Sequence, residues 1–313
     1  MKTSVLLLGA SGTIGRATAR ALYEAGHQVT CFLRPNAKSS GLQGCEIRRG
    51  DLSSMQLEDG KFDAVISCLA SRTGAPDEAW AVEHDLQSDV LRQAITARIP
   101  HFVLLSAICV QKPVLEFQKA KLAFEEKLQA SGLTWSIVRP TAFFKSLSGQ
   151  IGRVRSGKPY LVFGDGALTS CKPISDTDLG RYLCTCLTDP ARQNRVLAIG
   201  GPGPALTPMQ QGAALFDAFD QKPRFRRVPL GIMCTIVAVL GLLGKFHPKL
   251  AAKAELARIG RYYATESMLV WDAEAGRYDA DATPEFGTDT LKEHFFKSAN
   301  GEVEDDRGAH AVF

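Results

Sequence analysis

The run Val5-Leu6-Leu7-Leu8-Gly9-Ala10-Ser11-Gly12-Thr13-Ile14-Gly15-Arg16 restricts the fold more than any other stretch of the chain. Four consecutive apolar residues read as a strand buried on both faces, the habit of a parallel sheet covered by helices. Beyond the glycines, Ile14, Ala17, Ala21 and Leu22 fall on one face of a helix. Each glycine has its own task. Gly9 makes the tight turn, Gly12 lets the backbone approach a pyrophosphate, and Gly15 lets the helix lie close to the strand. The helix N-terminus, with its free N–H groups and the positive end of the macrodipole, is where such an anion rests. Strand, glycine turn and helix in this order predict a dinucleotide site built from Gly9, Ser11, Gly12, Thr13, Ile14 and Gly15.

The chain has 313 residues, enough for one nucleotide-binding domain and an added lobe. A net charge of +4 gives no reason to expect nucleic acid as a partner. The 8 cysteines are scattered with no Cys-x-x-Cys pair, so zinc and iron–sulfur centres are disfavoured and no metal site is expected. Several lie in apolar runs, as reduced core cysteines do in the cytoplasm. The first strand begins almost at Met1 and leaves no room for a signal or transit peptide, which predicts a cytoplasmic chain. The spacing Gly-x-x-Gly-x-x-Gly resembles the extended and atypical short-chain dehydrogenase/reductase superfamily. That resemblance implies an α/β fold: a Rossmann doubly wound parallel sheet with a smaller C-terminal substrate lobe.

Further strands are expected at Gln28–Leu33, Glu46–Arg49, Ala64–Ser67, His101–Leu105 and Thr134–Val138, with a helix from about Asp77 to Arg98. Arg34 stands after the second strand, where an NAD-preferring domain has an acidic residue for the ribose 2′-hydroxyl. An arginine there suits a 2′-phosphate, so NADPH is the expected cofactor, with Arg16 and Lys38 adding positive charge. In the superfamily the Asp51-Leu52 pair flanks the adenine. Cys68, Leu69, Ala70 and Ser71 leave the fourth strand at the carboxyl edge of the sheet, where open α/β sheets bind ligands.

The segment after the fifth strand bears on the chemistry. Most short-chain reductases place Tyr-x-x-x-Lys on one helical face; this chain reads Phe117-x-x-x-Lys121-x-x-x-Glu125. Lys121 keeps its reach to the nicotinamide ribose, but Phe117 has no proton to donate. Ordinary carbonyl reduction through a phenolic acid is therefore disfavoured. Ser106 ends the fifth strand, and Arg139-Pro140-Thr141-Ala142-Phe143-Phe144 follows the sixth; in the superfamily, residues after this Arg-Pro line the nicotinamide and the substrate mouth.

Organisation is expected to change near residue 148, with the cofactor domain over 1–148 (later segments returning to it), a substrate lobe over 149–298 and a disordered tail over 299–313. Within the lobe, Tyr160–Phe163, Leu168–Pro173 and Arg195–Ile199 read as strands. Ser175 and Thr207 cap helices that reach about Leu187 and Phe219, Ala251–Ile259 continues the helical pattern, and the last helix spans about Asp289–Phe296. Val228–Gly244 carries no charge and is flanked by Arg224, Arg226, Arg227, Lys245 and Lys249. A spanning helix needs ~20 apolar residues, and Pro229 with three glycines shortens this one. A buried lobe helix, a peripheral flap on an anionic bilayer or over an apolar ligand, and a membrane span all remain open.

Five stretches resemble the NADPH-dependent divinyl chlorophyllide 8-vinyl reductases: Ser67–Gly74, His101–Pro113, Val138–Ser146, Cys171–Ser175 and Gly260–Leu269. The resemblance spans roughly residues 3–297. It implies reduction of the 8-vinyl group of divinyl chlorophyllide to ethyl in a phototroph; the lack of room for a transit peptide makes a bacterium and a cytoplasmic chain the expectation, with a peripheral contact with the photosynthetic membrane through Val228–Gly244 left open. It also implies NADPH contacts from Cys68, Leu69, Ala70, Ser106, Lys121, Pro140 and Thr141, with Lys121 and Ser106 as the catalytic or orienting groups. Phe117, Phe143, Phe144, Tyr262 and Tyr263 would meet the pigment, whose own magnesium could take a histidine such as His247; the pair Phe143-Phe144 reads equally well as core of the lobe. A macrocycle that absorbs electron density makes a strong local acid dispensable, which accounts for Phe117. The residues alone leave room for an NADP(H)-sensing NmrA-like regulator, an isoflavone-reductase-like or quinone-type reductase, and a membrane scaffold.

Overall fold

The computed structural model describes residues 2–58, 60–244 and 247–303. β1 (Ser4–Leu8) runs into the glycine turn and α1 (Thr13–Glu24), followed by β2 (Gln28–Leu33), β3 (Glu46–Arg49) and β4 (Ala64–Ser67). The helix expected over 77–98 is divided. α2 (Pro76–Ala79) opens into a wide π-turn over Trp80–Leu86 and closes again as α3 (Gln87–Thr96). β5 (His101–Leu105), α4 (Glu116–Gln129) and β6 (Thr134–Pro140) complete this part. The chain next makes α5 (Phe144–Leu147), α6 (Ile151–Arg155) and β7 (Tyr160–Phe163), then α7 (Asp176–Thr185) and β8 (Arg195–Ile199). After these come α8 (Pro208–Ala218), β9 (Phe225–Val228), α9 (Leu230–Gly244) and α10 (Pro248–Thr265), then β10 (Val270–Asp272), β11 (Arg277–Asp279) and α11 (Leu291–Ala299).

Two compact units result. The first comprises Met1–Ser71, Asp77–Pro140 and Asp176–Ile199. Its 7-stranded sheet has the order β3-β2-β1-β4-β5-β6-β8, with every neighbouring pair parallel. The order reverses between β1 and β4, the switch point where open sheets hold ligands beyond their carboxyl ends. Because side chains alternate along a strand, Leu6, Leu8, Val65, Phe102, Leu104 and Ile137 share one core with Val90, Leu91, Phe124 and Leu128 of α3 and α4. α1 and α7 meet backbone to backbone: a Cβ on Gly180 would stand 2.6 Å from the carbonyl carbon of Ala17.

The second unit comprises Arg72–Pro76, Thr141–Ser175 and Gly200–Phe313, so the chain leaves the first unit at Pro140, before the border expected at 148. Its core gathers Phe144, Ile151, Val154, Tyr160, Phe216, Leu291 and Phe295 around the parallel pair β7–β9. A capping box starts α8, Gln210 accepting from the Thr207 N–H at 2.8 Å. The strand expected over Leu168–Pro173 is reduced to isolated bridges from Cys171 to Leu206 and to Met268. Pro173 has no N–H with which to extend a ladder.

Of the three readings open for Val228–Gly244, α9 does not fit the buried lobe helix. Met233 is its one buried residue, whereas Ile232, Ile236, Val239, Leu242 and Leu243 are each between 45% and 60% exposed. Among the described residues no helix is long and apolar enough to cross a membrane. In the tail expected to be disordered, residues 304–313 lie outside the described residues.

Candidate functional site

The glycine turn behaves as its spacing demands. Gly9 has φ +75°, and a Cβ there would stand 2.4 Å from the Cys68 carbonyl oxygen. A Cβ on Gly15 would stand 2.2 Å from the Gly9 carbonyl oxygen. Both positions exclude a side chain, Gly9 on backbone conformation as well as space. Gly12 is the N-cap of α1, in extended conformation and without a side-chain cap, and no acidic residue lies in the first turn. The leading N–H groups of the helix lack intrahelical acceptors, so this end fits a diphosphate. Arg16 Nη1 donates to the Ser11 carbonyl at 2.7 Å and so braces the turn. The Ile14 side chain is buried, which leaves its backbone as the part able to meet a ligand.

Beyond β2, Arg34 is exposed, and among the described residues its side chain has no hydrogen bond or ion pair. Its loop is held from β3. Arg49 Nη1 donates to the carbonyls of Pro35 at 3.1 Å and Ala37 at 2.7 Å. Asp51 starts a single 3₁₀ turn over Leu52–Ser54, its Oδ1 accepting from the Ser53 N–H at 3.0 Å. That backbone bond holds its carboxyl below the usual carboxylate range. The Leu52 side chain belongs to the sheet core, so a ligand can meet only its backbone. A cleft of about 270 Å³ lies here, lined by Phe32, Arg49, Gly50, Asp51, Met55 and Leu57 among others.

Cys68, Leu69 and Ala70 leave β4 on the same sheet edge. Burial pushes the Cys68 thiol up to about 12, so it is no nucleophile near neutral pH. Ser106 follows β5. Its hydroxyl donates to Glu125, which also receives Arg139 Nε at 3.2 Å. Lys121 is a buried cation, unlike a solvated helix lysine: Nζ donates to Glu83 Oε2 at 2.7 Å. Glu83 Oε1 accepts from Ser71 N–H at 2.8 Å and Oγ at 3.0 Å. Phe117 is buried one turn before Lys121 on α4. Pro140, also buried, closes β6.

Sequence reasoning passed over Glu83 and the bracing role of Arg49, and it met Ser71 and Arg139 only as members of longer stretches, with no partner for either. Glu83 carried a legible signal: it continues the buried stripe Ala79, Gln87, Val90 and Ala94, and a carboxylate in such a stripe requires a partner.

The remaining expected residues lie in the second unit. Thr141 Oγ1 donates to the Lys172 carbonyl. Phe143 is half-buried and caps α5. Phe144 takes the core setting of the two open to the aromatic pair: it is packed in the unit's core with its ring 5.3 Å from that of His294. Tyr262 is buried and Tyr263 exposed, their rings 5.6 Å apart and nearly perpendicular. His247 is exposed at the N-cap of α10.

A parallel sheet with this strand order and this glycine cradle defines a nicotinamide dinucleotide-binding protein, and residues 9–190 match the family described as NAD(P)H-binding. The leucoanthocyanidin reductase of Vitis vinifera, solved with NADPH, shares the fold at a TM-score of 0.69 and 14% identity, over 95% of this chain and 99% of that one. The protein of Cucumis sativus named divinyl chlorophyllide a 8-vinyl-reductase, chloroplastic, is 44% identical over 99% of this chain and 80% of its own. Its namesake in Oryza sativa subsp. indica is 44% identical over 94% and 78%. The chain belongs to the divinyl chlorophyllide a 8-vinyl-reductase family.

Proposed function

We propose that this protein reduces the 8-vinyl group of a 3,8-divinyl chlorophyllide to an ethyl group with NADPH. The observation that carries this reading is the identity with reductases of that name along nearly the whole chain. When bound, NADPH supplies a hydride, which must be matched by one proton to saturate the double bond. The first turn of α1 holds the diphosphate, and Arg34 holds the 2′-phosphate. Lys121 has three donors and gives one to Glu83, leaving two for ribose hydroxyls. Ser106 has its proton directed into Glu125, so towards a ligand it offers lone pairs and orients rather than acts as an acid. Charge left on the pigment spreads through the conjugated ring, so the buried Phe117 needs no phenol in its place.

Mixing the purified protein with NADPH and divinyl chlorophyllide should move the Soret band to shorter wavelength as vinyl becomes ethyl. If both ligands bind and the band stays where it was, the protein is a sensor of NADP(H) and the enzyme reading fails.

A peripheral contact with an anionic bilayer belongs to the same reading. It is supported by the uncharged, outward aliphatic surface of α9 and by Arg226 and Arg227, exposed on the preceding β9.

A further inference from the structure

We propose that Glu83 is a positioning residue of the cofactor site, one buried carboxylate that fixes two of its walls. Glu83 is 3% exposed and Lys121 is 9% exposed. Both carboxylate oxygens are engaged. Oε2 takes Lys121 Nζ at 2.7 Å, and Oε1 takes the N–H and hydroxyl of Ser71 at 2.8 and 3.0 Å. Three separate pieces of the first unit thus meet at one group: the loop after β4, the π-turn and α4.

A buried ion pair is a poor device for stability, because well-packed apolar residues of the same volume serve as well or better. Its use here is direction. A lysine on a flexible four-carbon stem loses its rotamer freedom when one N–H is tied down, and its remaining donors then face a fixed way. Ser71, held by two bonds, keeps the segment Cys68–Ser71 at the carboxyl edge of the sheet. The π-turn supplies the reach. It interrupts an otherwise regular helix at the residues around Glu83, and such irregular turns are concentrated at functional positions. The inference rests on the reading that Lys121 meets NADPH; it does not require the pigment.

The test uses the full chain and calorimetric titration of NADPH, with thermal unfolding alongside. Lys121→Met alone strips Glu83 of its counter-charge and should lower the unfolding midpoint. Glu83→Gln with Lys121→Met makes both partners neutral and should restore that midpoint while NADPH still binds more than about tenfold more weakly. Glu83→Gln alone keeps the lysine and the Ser71 acceptor. It should raise the NADPH KM by about tenfold and leave the pigment KM unchanged, a split that a purely structural role would not produce. Should that variant fail to fold, Glu83→Asp, which keeps the charge and Lys121 but draws the carboxylate back by one methylene, carries the measurement with the same expected loss. NADPH affinity within about twofold of wild type in the folded variants overturns the proposal. Wild-type protein that binds NADPH but leaves the pigment unreduced would count against the substrate reading and leave this one standing.

Discussion

Arg34 and Lys121 show how differently two cations can be placed on one sheet edge. Arg34 is exposed and unengaged among the described residues, while Lys121 is buried against a carboxylate. Arg34→Ala should therefore leave stability unchanged and weaken NADPH by more than about tenfold, with little effect on NADH. Equal losses for the two cofactors, measured by titration, would reject a 2′-phosphate contact. Gly9 and Gly15 were legible because their spacing is local and their reasons are steric. Lys121 was legible as a residue but not as a pair, because Glu83 lies 38 positions upstream and nothing in a helix repeat relates the two. The setting of Phe144 stayed open for a similar reason. An aromatic pair after a strand reads the same whether it faces a ligand or a core, and only the packing around Ile151, Tyr160 and Phe295 decides.

Among the elements, strands were easier to anticipate than departures from regularity. The apolar runs of β1, β4 and β5 lie where their composition put them. The π-turn over Trp80–Leu86 left no mark on the pattern, since one widened turn barely disturbs a 3.6-residue period. α9 is the opposite case. Its lack of charge was plain, yet hydropathy cannot tell a helix covered by protein from one left bare. Its exposed aliphatic residues supply the apolar half of an interfacial helix, and Arg226 and Arg227 the attraction to acidic headgroups. The full chain should float with vesicles rich in phosphatidylglycerol and less with neutral phosphatidylcholine vesicles. The double substitution Ile236→Glu and Val239→Glu, at positions already facing outward, should abolish flotation without lowering the unfolding midpoint. Flotation of that variant at the wild-type level would remove α9 from the contact.

At the scale of the whole molecule the two units are interleaved in sequence. The first is completed only by Asp176–Ile199, which adds α7 behind α1 and β8 beside β6. A fragment ending at Pro140 would expose the edge of β6 and bare the face of α1 around Ala17. It should fail to give a cooperative unfolding transition by circular dichroism; a sharp transition would show that the returning segment is dispensable. The α/β alternation announced the sheet, and the looser pattern after Gly149 suggested a second unit. Where the chain crosses between units was hidden, because α7 and β8 look like any other helix and strand until their partners are known.

That returning segment also sets an order of events during synthesis. A ribosome delivers α5, α6 and β7 before α7 and β8. The nascent nucleotide-binding half must therefore wait with one flank of its sheet unpaired while foreign sequence emerges. Throughout that interval the growing polypeptide carries an open strand edge, the kind of template on which pairings of the wrong kind form.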